Sequence, residues 1–135
     1  MKETDKDIVF VYGTLMSTGS NPASSYVDAE VIGKGWVNGK LYDLGWYPGF
    51  YPDTEHDAAV APRVWGELIA VNKPALLQLD DYEGTPTLYR RERIWATLGE
   101  DEELVSAWIY VFNNEAYLTA DRVIPSGSWL EREVA

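Results

Sequence analysis

No cysteine occurs in this chain, and only one histidine. The first absence excludes disulfides, thiol catalysis and thiolate zinc sites. It fits a reducing compartment, and a cytoplasmic location is expected. The second leaves His56, in "DTEHD", unable to build a two-histidine metal site, and it reads as an exposed loop residue. No G-x-S-x-G nucleophile turn is present for it to serve, and there is no Walker A loop or GxGxxG sequence. Neither a serine-hydrolase triad nor a phosphate or dinucleotide cradle is visible. The charged start "MKETDKD" is followed by no long apolar run, so neither a signal peptide nor a membrane-spanning helix is expected. Positive charge is scarce: 11 Lys and Arg stand against 22 Asp and Glu, a formal net charge of −11. Such a field repels nucleic acid and anionic membrane surfaces, and neither is expected as a partner. Its ordinary consequence is solubility.

What is present is a chain of 135 residues, 46% hydrophobic and 13% aromatic, with six Trp and nine Tyr. This fits one domain, residues 1–135, with a real core and an aromatic-lined pocket. Trp36, Trp46, Trp65, Trp95 and Trp108 are read as packing residues. "DIVFVYGT" predicts a buried strand over 8–12 that stops at Gly13. Residues 16–25 read as loop. Asn38-Gly39 between apolar flanks predicts a hairpin with strands near 28–36 and 40–44. "GWYPGFYP" reads as an irregular aromatic loop. "RVWGELIAV" predicts a strand over 63–71. In "NKPALLQLDDYEG", Asn72 suits a helix cap, Pro74 the first turn, and Gly84 the position past the end. "LYRRERIWATL" and "ELVSAWIYVF", joined by the acidic turn "GEDEE", predict a second hairpin. About six strands against one clear helix predict an α+β domain, its antiparallel or mixed sheet closed or strongly curled, with the helix packed on it.

The candidate chemistry lies in carboxylates. At helical spacing Leu76, Leu79 and Glu83 share one face, which places Glu83 on the apolar stripe, with Asp80 nearby. Burial and a helix C-terminus both raise a carboxylate pKa, as a general base or acid near neutral pH requires. The competing reading is that Glu83 turns outward beside Gly84. A cation held by Asp80, Asp81 and Glu83 is disfavoured, because adjacent helical side chains diverge and no EF-hand spacing is present. A two-carboxylate glycosidase lacks a clear second carboxylate. At "YGTL", residues 12–15, a glycine ending a strand either makes a small N–H nest for a carboxylate or oxyanion, or is simply a tight turn.

Taken together, "VFVYGTL", "YDLGWYPGF", "LDDYEGTPTLYRRERI", "AWIYVF" and "IPSGSW" resemble the gamma-glutamylcyclotransferase-like (AIG2-like) family, and in motif the gamma-glutamylamine cyclotransferases and their bacterial relatives. The resemblance runs from about residue 8 to about residue 129. Where bacterial members end in Gly-Asp-Trp, this chain has Ser128 in place of the aspartate. The resemblance implies a small barrel of mixed strands with flanking short helices and one cavity. It implies a cyclotransferase of lyase or acyltransferase type, releasing 5-oxoproline and an amine from a γ-glutamyl amine or amide. The substrate's own α-amine would be the nucleophile, so no cofactor, metal or covalent intermediate is required. It implies that the backbone of Tyr12, Gly13, Thr14 and Leu15 holds the glutamyl head and that Glu83 is the catalytic base. Secondary candidates are Tyr89 and Arg91, from the Leu-Tyr-x-Arg segment, with Arg91 pairing either a substrate carboxylate or Asp80. Tyr42 and Tyr47 are candidates for the cavity wall. A non-catalytic ligand-binding module on the same fold is the alternative. The leaving amine and the oligomeric state are left open.

Overall fold

The computed structural model describes residues 6–13, 15–16, 29–53, 56–57, 61–99 and 102–130. Six strands and one helix follow in order: β1 (Asp7–Val11), β2 (Ala29–Asp43), β3 (Pro48–Pro52), β4 (Arg63–Val71), α1 (Lys73–Tyr82), β5 (Tyr89–Leu98) and β6 (Glu103–Phe112). Two short 3-10 turns, Glu115–Tyr117 and Ala120–Arg122, come after them. The strand order is β3-β2-β4-β1-β6-β5, and β2 also pairs with β5. That last pairing closes five strands into a barrel and leaves β3 as an extension of β2. All pairings are antiparallel except β1 with β6, so the sheet is mixed, as expected.

Closure depends on one residue without a side chain. Gly35 of β2 faces Gly66 of β4 on one side and Leu98 of β5 on the other. A Cβ at Gly35 would lie 2.4 Å from the Thr97 carbonyl oxygen. Only a glycine lets the two ends of the sheet approach this closely. The barrel interior is filled by side chains with essentially no exposure, among them Phe10, Val37, Phe50, Leu68, Ile109 and Phe112.

The helix forms as its sequence indicates. Asn72 caps it, its side chain accepting from the Ala75 N–H at 2.9 Å. Its apolar stripe, Ala75, Leu76 and Leu79, is buried. Its end is a Schellman arrangement: Gly84, at φ +71°, donates to the Asp81 carbonyl, and Thr85 donates to the Asp80 carbonyl at 3.0 Å.

Three expectations are corrected. Asn38-Gly39 makes no hairpin, and β2 runs straight through it as one 15-residue strand. Here the strand changes partner: Asn38 pairs with Arg63 of β4, and Gly39 pairs with Pro52 of β3. Pairing on both sides of the dipeptide leaves no free ends to reverse. The aromatic stretch after it is β3, with Phe50 fully buried. The tryptophans are not uniformly packing residues: Trp46 is 92% exposed and Trp95 66%. The loop expected over 16–25 lies, apart from Met16, outside the described residues.

Candidate active site

The parallel pairing of β1 with β6 brings the C-terminal ends of both strands to the same end of the barrel. The start of β5 lies beside them, with Tyr89 opposite Phe112. The turn between β2 and β3 and the end of α1 reach the same place, and together they enclose a cavity of about 320 Å³. Tyr12, Gly13 and Leu15 line it from the β1 turn. Tyr47 and Pro48 line it from the β2–β3 turn, and Tyr89 and Tyr110 from β5 and β6. Tyr82 and Glu83 close it from the helix end.

Glu83 therefore faces inward. It is the helix C-cap residue, its N–H donating to the Leu79 carbonyl at 2.9 Å. It is the one carboxyl among the described residues lining the cavity, and no lysine, arginine or histidine among them shares the wall. Burial pushes its carboxyl from 4.5 up to about 7.

The surrounding phenols are aligned outward from the cavity. Tyr12 donates to the Tyr110 carbonyl at 2.7 Å, and Tyr89 to the Pro48 carbonyl at 2.6 Å. Tyr110 donates to Asp80 Oδ1 at 2.8 Å. Those bonds commit the three hydroxyl protons, and the Tyr12 oxygen is also engaged by the Phe50 main chain. Burial is the largest cause raising the pKa of all three phenols, and the Glu83 charge adds to it, so none ionises near neutral pH. A carboxyl among tyrosine rings and apolar walls makes a site suited to an ammonium group.

The candidates divide as follows. Tyr12, Gly13, Leu15, Tyr47, Glu83 and Tyr89 line one cavity. Thr14 lies outside the described residues. Asp80 and Arg91 stand outside the cavity lining and pair with each other, Arg91 Nε to Asp80 Oδ1 at 2.8 Å. Tyr42 is displaced from the wall: it pairs with Gly49 of β3 and bridges to Val123. Ser128 lies elsewhere too, beside a second cavity lined by Lys34, Trp65 and Glu67. Sequence reasoning missed Tyr110. A tyrosine inside the apolar run "AWIYVF" reads as core, and its partner Asp80 is 30 residues away. His56 is exposed and pairs with Asp53, Nδ1 to Oδ2 at 2.9 Å.

The raised Glu83 pKa carries a prediction about stability. The folded chain holds this proton more tightly than the unfolded one, so the stability it confers is complete below pH 4.5 and lost as pH rises through about 7. Wild type should lose up to about 3 kcal/mol between those limits, set by the size of the shift. Glu83→Gln should lack this component. Urea unfolding of both proteins at pH 5 and pH 8 checks it, and parallel losses in the two would contradict it.

A closed mixed barrel whose cavity is lined, among the described residues, by one carboxyl and by no serine, cysteine or lysine defines the class of site. The sequence profile described as gamma-glutamyl cyclotransferase, AIG2-like, matches residues 9–131. The Escherichia coli K12 gamma-glutamylcyclotransferase family protein YtfP is 30% identical over 126 residues, covering 93% of this chain and 97% of the relative. A Vibrio cholerae serotype O1 protein with the provisional name gamma-glutamylcyclotransferase is 34% identical over 128 residues, covering 93% of this chain and 96% of the relative. Among solved structures, an AIG2-like protein from Mus musculus superposes with a TM-score of 0.69 at 25% identity, covering 84% of this chain and 82% of that one. Bacillus subtilis YkqA superposes with a TM-score of 0.71 at 22% identity over 93% of this chain, which spans only 40% of YkqA. The chain belongs to the gamma-glutamyl cyclotransferase, AIG2-like family.

Proposed function

We propose that this protein is a γ-glutamyl cyclotransferase that releases an amine from a γ-glutamyl amine or amide and leaves 5-oxoproline. The observation that carries this reading is Glu83: a lone carboxyl, raised to about 7, in a cavity whose described wall has no serine, cysteine or lysine. With no such side chain on the described wall, the attacking group comes from the substrate or from water. In a γ-glutamyl amide the α-amine can reach its own γ-carbonyl and close a five-membered ring.

The steps balance without water. The α-ammonium enters among the side chains of Tyr12, Tyr89 and Tyr110 and gives a proton to Glu83. The freed amine attacks the γ-carbonyl, forming the new C–N bond and a tetrahedral oxyanion. Glu83 returns the proton to the leaving nitrogen as the old C–N bond breaks, then takes the second proton of the new ring nitrogen and passes it to the released amine. Backbone N–H groups of the Tyr12–Leu15 stretch hold the α-carboxylate or the oxyanion, since no cationic side chain among the described residues lines the cavity. Holding the substrate bent, amine against carbonyl, is the main part of the catalysis. The raised Glu83 pKa assists the first step, because a stronger base accepts the ammonium proton more readily.

The test is a panel of γ-glutamyl dipeptides, γ-glutamyl-lysine and γ-glutamyl-putrescine, assayed for 5-oxoproline with the purified protein. At least one substrate should turn over, and the best of them identifies the leaving amine. Saturable binding of a panel member with no oxoproline from any, unaffected by Glu83→Gln, would instead favour a binding module. No helix among the described residues is long and apolar enough to cross a membrane.

A further inference from the structure

Behind the cavity wall lies a second constellation that the steps above do not use. Asp80 stands one helical turn before Glu83 and accepts two bonds on the same oxygen, from Arg91 Nε and from the Tyr110 hydroxyl, each at 2.8 Å. Arg91 and Tyr110 face each other across the β5–β6 ladder. The main-chain carbonyl of Asp80 accepts two more, from the Thr85 N–H and hydroxyl. Asp80 and Arg91 are mostly buried, with side-chain exposures of 17% and 21%. The guanidinium also lies 4.2 Å from the centre of the Trp108 ring. A largely buried ion pair is a poor way to gain stability, because desolvation offsets its attraction. Its position gives it another use.

Tyr110 feels the charges of Asp80, Glu83 and Arg91 together, and it joins the pair to the cavity wall. We propose that Asp80 is a positioning residue of this site: it cancels the Arg91 charge behind the wall and takes the Tyr110 proton, so that Glu83 meets the substrate ammonium with no competing cation and the Tyr110 oxygen meets it as an acceptor. This rests on the cyclotransferase reading for its consequence in turnover, but not for its electrostatics. The titratable groups that line the cavity with Glu83 are Tyr82 from its own helix end, Tyr12 from the end of β1, Tyr47 from the β2–β3 turn, Tyr89 from β5 and Tyr110 from β6. On its own helix Asp80 and exposed Asp81 precede it, and Asp80 holds Arg91 of β5. Arg91 is the one cation among them.

Charge removal on the two sides of the pair should therefore act in opposite directions. Asp80→Asn keeps the shape, unmasks Arg91 and lowers the Glu83 midpoint. Arg91→Gln unmasks Asp80 and raises it. The double variant, neutral on both sides, returns the midpoint toward wild type. A clamp that merely holds the helix end would loosen in both single variants and move Glu83 downward in both. The experiment is carboxyl-carbon NMR titration of Glu83 in the wild-type, single-variant and double-variant proteins, together with the acid limb of kcat/KM against pH. Opposite shifts support the proposal, with kcat/KM of Asp80→Asn down on the order of tenfold to a hundredfold from misplacement and a weakened base. Shifts in the same direction, or none, would overturn it. If Asp80→Asn does not fold, Arg91→Gln against Arg91→Lys decides the matter. The midpoint should rise only where the charge is lost, and equal midpoints overturn the proposal. The titration needs no turnover: absence of oxoproline would sink the cyclotransferase reading, while opposite midpoint shifts would still support this one.

Discussion

Glu83→Gln is expected to fold and to form 5-oxoproline on the order of a hundred to ten thousand times more slowly than wild type, the range for loss of a positioned general base. The substitution keeps the size and hydrogen-bonding shape of the side chain and removes only its ability to take a proton. No second carboxylate among the described residues lines the cavity to replace it. Asp80 is engaged by Arg91 and Tyr110 behind the wall. Stability should not suffer, because a buried carboxylate opposes folding above its raised pKa. KM should change little if the tyrosine oxygens and the Tyr12–Leu15 backbone supply most of the binding. The measurement is kcat and KM for the best substrate, with thermal unfolding as the folding control. A folded variant with wild-type kcat would remove Glu83 from the chemistry.

Gly35→Ala should give the largest loss of stability for the smallest change in composition. Its methyl would lie 2.4 Å from the Thr97 carbonyl oxygen and 2.8 Å from Leu68 Cδ1. Neither neighbour is the free end of a flexible surface side chain: one is backbone, and the other belongs to a fully buried leucine. Strain relief would require β2 and β5 to separate, and only Gly35 with Leu98 and Trp36 with Thr97 join those strands. Overpacking of this kind costs about 3 kcal/mol, or roughly 10 °C in Tm for a domain of this size. Lys40→Ala, exposed on the same strand, should change stability by less than about 0.5 kcal/mol. Thermal unfolding of both variants checks the contrast, and an unchanged Tm for Gly35→Ala would show that the seam is not tight.

The helix was legible because each of its signals is local. Asn72, Pro74 and Gly84 act within a few residues of themselves, and the spacing of Leu76, Leu79 and Glu83 suffices to turn the carboxylate inward. The β5–β6 hairpin was legible for the same reason. Asn38-Gly39 misled because a local turn preference competes with pairing on both flanks, and β2 gains more by handing over from β4 to β3. β3 was hidden by prolines, which as its first and last residues break no ladder of this outer strand. In the site, Glu83 and the turn at Gly13 were legible as a strained placement and a strand end. Tyr110 and the pairing of Asp80 with Arg91 were not, since they arise only when the helix end lies across β5 and β6. Tyr42 was misplaced because nothing in "KLYDLGWYPGF" marks which of two nearby tyrosines β3 will turn toward the cavity.

The central claim is that the substrate's own amine, released by Glu83, displaces the leaving amine. One measurement addresses it directly: incubate the purified protein with its best γ-glutamyl substrate and quantify 5-oxoproline, glutamate and free amine by proton NMR. The expected result is oxoproline and amine in equal amounts with no glutamate, abolished in Glu83→Gln. Glutamate in place of oxoproline would mean that water is the nucleophile and would contradict the account.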